Sequence, residues 1–100
     1  IDDVVEAFLA ASLTNSCESV FNVVNGKSHL LGDVFFMISS KVASLNGRKV
    51  AVSNVDWPED AHEIEKRDFI ASNDLLKSKT KWSPHVSLEQ GIEFLIDSII

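Results

Sequence analysis

Hydrophobic and polar positions change period several times along this chain. Between Asp3 and Leu13, the residues Val4, Val5, Phe8, Leu9 and Leu13 recur at three- and four-residue steps, which predicts an amphipathic helix. Asn15-Ser16 ends it. Ser19-Val20-Phe21-Asn22-Val23-Val24 is short, rich in β-formers and bounded by Asn25-Gly26, so it reads as a buried strand. After a loop to Leu31, Asp33 is placed to cap a second helix whose Val34, Phe35, Ile38, Val42 and Leu45 share one face. Asn46-Gly47 is a helix stop. Arg48 to Val55 alternates through Val50, Val52 and Val55 and reads as a second strand.

Pro58 pushes Trp57 out of helical conformation and removes a backbone donor, so Asp56-Trp57-Pro58-Glu59-Asp60 is a loop, and polarity dominates through Lys66. Phe69-Ile70-Ala71 is a third, short strand candidate. Ser72 or Asn73 caps a brief helix through Lys79 that turns Leu75 and Leu76 inward. Pro84 punctuates the next loop. Ser87-Leu88-Glu89-Gln90 has the spacing of a capping box, and Leu88, Ile92, Leu95, Ile96 and Ile99 then form the cleanest helical stripe in the chain. No internal repeat or low-complexity tract interrupts the order.

Composition narrows the class. An apolar fraction of 45% fills one modest core, which fits a single soluble domain of 100 residues. The longest apolar run, Val34-Phe35-Phe36-Met37-Ile38, falls far short of the roughly 20 residues a bilayer needs, and no secretory signal is present. A net charge of -6 argues against nucleic acid and anionic membranes as partners, since either needs a basic face. The one cysteine, Cys17, cannot close an intrachain disulfide, which favours a reducing, cytoplasmic setting. The chain opens on Ile1 without a methionine, so it reads as an excerpt of a longer protein. Asp2, Asp3 and Glu6 then complement the dipole of the first helix.

Four strings give the order a family likeness. Ile1-Asp2-Asp3-Val4-Val5-Glu6-Ala7, Val20-Phe21-Asn22-Val23-Val24-Asn25-Gly26, Trp57-Pro58-Glu59-Asp60 with Ile64 and Asp68, and Lys81-Trp82-Ser83-Pro84-His85-Val86-Ser87-Leu88-Glu89-Gln90-Gly91-Ile92 fall in register along nearly the whole chain. Together they resemble the C-terminal part of the extended short-chain dehydrogenase/reductase family, the NAD-dependent nucleotide-sugar epimerases and dehydratases. The resemblance implies an α/β fold. Residues 1–26 would be the last helix and strand of a Rossmann-type sheet, bordering a missing cofactor domain, and residues 27–100 a small substrate-binding lobe. It implies a nucleotide diphosphate-sugar as ligand, an N-terminal Rossmann portion of the same protein as partner, and allows a homodimer for the intact isomerase or lyase.

The chemistry of such an enzyme is not in this chain. A dinucleotide needs a glycine-rich βα turn, and the family's proton and hydride transfer needs Tyr-x-x-x-Lys. Here there is no tyrosine, and Gly26, Gly32, Gly47 and Gly91 form no Gly-x-Gly. NAD or NADP would therefore be bound by the missing domain, with no cofactor and no catalytic residue in this chain. His29, His62 and His85 are isolated from one another and from Cys17, so neither a triad nor a zinc site has support.

By resemblance, the loop from Trp57 to Asp68 faces the substrate, with His62 where the family places a phosphate-facing cation and Asp68 as a ribose acceptor. Arg67 replaces the usual glycine and could pair with phosphate bidentately, whereas Glu63 would repel it. Asp68 could equally pair with Lys66 or Arg67. Trp57 and Trp82 read as packing residues, and Lys77, Lys79 and Lys81 as a solvated face. The alternative function is a degenerate, non-catalytic binding or scaffolding module derived from the same family.

Overall fold

In a computed structural model of the chain, residues 1–15 and 20–100 are described. Among these residues four α-helices carry the architecture: α1 (Asp2–Leu13), α2 (Leu31–Asn46), α3 (Asp74–Lys79) and α4 (Leu88–Ile99), with a 3₁₀ turn at Glu63–Lys66. Among the described residues there is no strand, so the chain is helical and not the α/β arrangement expected of a sheet-bearing Rossmann-type piece. The reason is pairing. Val20–Val24, Arg48–Val55 and Phe69–Ala71 are free of helix, but a strand exists only through a ladder with a neighbour. Among the described residues, every backbone–backbone bond outside the helices spans three or four residues and closes a turn or a helix end. Ser19 of the first strand candidate, and Cys17, lie outside the described residues.

The chain divides into two compact units. Ile1–Lys27 with Ile70–Gln90 form the first, and Ser28–Phe69 with Gly91–Ile100 the second. The first is built on Ala7, Leu76 and Trp82, with Ala10, Ala11, Phe21 and Val23 packed around them. α1 therefore turns its alanines inward, while Val5, Phe8, Leu9 and Leu13 stand exposed at 52 to 83%. The large apolar stripe that predicted the helix is not the stripe that packs: close approach of a helix to Trp82 is permitted by small residues, and the alanines supply it.

Caps fix the helix ends. Gly47 adopts φ 71° and returns its amide to Ala43 O at 2.9 Å, a left-handed C-cap that terminates α2 where Asn46-Gly47 predicted. That helix begins at Leu31, so Asp33 lies inside its first turn instead of capping it, where its charge still complements the dipole. At α4 the capping box forms reciprocally: the Ser87 amide donates to Gln90 Oε1 at 3.0 Å, and the Gln90 amide donates to Ser87 Oγ at 3.2 Å.

In the second unit Lys41 of α2 pairs with Glu93 of α4 at 3.3 Å, and Ser39 Oγ donates to Val50 O, fixing the segment that follows α2. Ile92 and Ile96 are its buried apolar positions. No helix among the described residues is long and apolar enough to cross a membrane.

Candidate functional site

The substrate-facing loop expected from the sequence lies wholly in the second unit. Pro58 starts a turn closed by the Ala61 amide on Pro58 O at 3.0 Å. His62 then serves as N-cap of the 3₁₀ turn: its Nδ1 accepts the Ile64 amide at 3.3 Å and its carbonyl accepts the Glu65 amide at 3.0 Å. With Nδ1 occupied as an acceptor, Nε2 is the ring atom left to meet a ligand. Arg67 ends the turn, and its guanidinium lies 5.6 Å from the Phe69 ring centre, a cation–π contact.

His62 and Arg67 thus sit at the two ends of one four-residue turn. Lys66 pairs with Glu63 at 3.6 Å, which turns the acidic group that would oppose a phosphate toward a cation of its own. Asp68 is exposed beside them, and neither Lys66 nor Arg67 takes it as an ion-pair partner. All three nominated side chains are solvent-exposed on a surface loop. Trp57 is 58% exposed on the same loop and does not play the packing role expected of it.

The first unit holds a different constellation. The Asp3 carboxylate accepts the His85 amide at 3.0 and 3.1 Å and the Val86 amide at 2.9 Å. Trp82 Nε1 donates to the Asp3 carbonyl at 2.9 Å, and Trp82 itself is buried. The amide of Val86 first, then that of His85, and the nearby His85 imidazole hold the Asp3 carboxyl below the usual carboxylate range, outweighing the opposing effect of desolvation. Asn25 Nδ2 donates to Val86 O at 3.2 Å, and the buried Asn73 donates to Val24 O at 2.9 Å and Asn25 O at 3.2 Å. Asn73 packs so closely on Gly26, at φ 88°, that a Cβ there would meet its Nδ2 at 3.1 Å. Ser72 Oγ, not the Asn73 side chain, meets the first amide of α3, Asp74 N, at 3.1 Å.

Sequence reading saw Asp3 as a dipole complement and missed its clamp on residues 85 and 86. No local signal carries a contact across 82 positions. Beside this clamp runs an open cleft of about 400 Å³ whose lining includes Ala10, Leu13 and Trp82 together with Glu6, Lys79 and Lys81. None of His62, Arg67 and Asp68 lines it. Of the hydroxyls in its lining, Thr80 Oγ1 donates to Leu76 O and accepts the Trp82 amide.

None of the four glycines sits in a glycine-rich βα turn. Gly26 is held under Asn73, Gly47 caps a helix C-terminus, and Gly32 and Gly91 lie within helices, so no glycine turn presents amides to a pyrophosphate. Among the described residues no three His, Cys, Asp or Glu side chains converge on a metal position. No family model, curated protein or solved structure matches the chain.

Proposed function

We propose that this chain is the substrate-binding C-terminal portion of an NAD(P)-dependent nucleotide-sugar epimerase or dehydratase, without catalytic activity of its own. One observation carries the reading. Apart from Asn73, the residues joined by the long-range bonds of the first unit fall within three of the strings that carry the resemblance: Asp3 in the first, Val24 and Asn25 in the second, and Trp82, His85 and Val86 in the last. A shared structural framework would retain such residues together.

On this reading the ligand is a nucleotide diphosphate-sugar, met by His62, Arg67 and Asp68 of the second unit. The cofactor belongs to an N-terminal Rossmann portion of the same protein, which would also supply Tyr-x-x-x-Lys. His62, Arg67 and Asp68 offer a ring nitrogen, a guanidinium and a carboxylate at the surface, groups suited to phosphate and hydroxyl partners, on a loop that also exposes Glu63, Glu65 and Lys66. The absence of a disulfide-forming pair of cysteines is consistent with a cytoplasmic protein.

A second reading, a non-catalytic module derived from the same family, is favoured by the local engagement of the loop. His62 Nδ1 is used as a cap and Arg67 lies over Phe69, so both side chains have structural work without any ligand. The complete reading frame separates the two. A glycine-rich βα turn together with Tyr-x-x-x-Lys ahead of Ile1 supports the enzyme. A glycine turn without the tyrosine and lysine supports the module. The absence of both overturns the family reading.

A further inference from the structure

We draw no further inference here: the strongest candidate, the exposed apolar face of α1 formed by Val5, Phe8, Leu9 and Leu13, carries nothing because nothing in the structure shows what covers it.

Discussion

The carboxylate of Asp3 accepts the backbone amide of Val86 at 2.9 Å, joining positions 83 residues apart. Trp82 donates to the carbonyl of the same aspartate, so the N-terminal turn of α1 and the loop before α4 are held by one residue through both its side chain and its backbone. The first unit thus closes on a charge-assisted contact, and its small apolar cluster of Ala7, Leu76 and Trp82 lies alongside.

This contact makes stability fall in acid. The folded Asp3 carboxyl titrates below its unfolded value, so its contribution is fully present above about pH 4, the ordinary range of an unfolded aspartate, and fades as pH drops through the lower folded value. Urea midpoints of the wild-type chain should decline over that window, and Asp3→Asn should be less stable at pH 7 with a flatter acid limb. Parallel curves for the two proteins from pH 7 to pH 2 would remove Asp3 from the account.

The two faces of α1 predict opposite sensitivities. Ala7 is fully buried, so Ala7→Leu should cost about 1 to 3 kcal/mol through overpacking. Phe8 is 67% exposed, so Phe8→Ser should change stability by no more than about 0.5 kcal/mol while lowering the binding of a dye that reports apolar surface. Denaturant titration and dye fluorescence of the same preparations check both. A Phe8→Ser loss as large as that of Ala7→Leu would mean that the stripe is buried in solution.

The reciprocal bonds of Ser87 and Gln90 predict that Ser87→Ala destabilises by about 1 kcal/mol, the usual cost of losing an N-cap oxygen. Gln90→Ala should cost part of that, because it leaves the Ser87 amide without its acceptor. Thermal melts of the two variants and the double variant suffice: a double loss smaller than the sum of the single losses marks the two bonds as one unit. No change in any of the three would place the box outside the energetics of α4.

What the sequence made legible was local. Gly47 ended α2 and Ser87-Gln90 opened α4 because a cap is decided by residues within one turn of each other. Helix α1 was also legible as a helix, but its inward face was not. Periodicity identifies the stripe of Val5, Phe8, Leu9 and Leu13 and is silent on whether a partner lies against it, and Ala7, Ala10 and Ala11 won by admitting Trp82. The segments at 20–24, 48–55 and 69–71 failed as strands for the same non-local reason: β-branched residues favour extension, and only a neighbour completes a sheet. Of the candidate site, the position of the loop after Pro58 was legible. The use of His62 as a cap and of Arg67 as a cover for Phe69 was not, since both depend on the turn at Glu63–Lys66.

The proposed function turns on Arg67. In the protein encoded by the complete reading frame, calorimetric titration with UDP-, dTDP- and GDP-sugars identifies the ligand, and the best of them is then titrated into Arg67→Ala, Asp68→Asn and Lys77→Ala. Pairing of the guanidinium with phosphate predicts a loss of about 1.5 to 3 kcal/mol for Arg67→Ala, roughly 10- to 150-fold in Kd, with a smaller loss for Asp68→Asn and none for Lys77→Ala. Unchanged affinity in a folded Arg67→Ala protein, or an equal loss from Lys77→Ala, would contradict the account and place nucleotide-sugar recognition away from this loop.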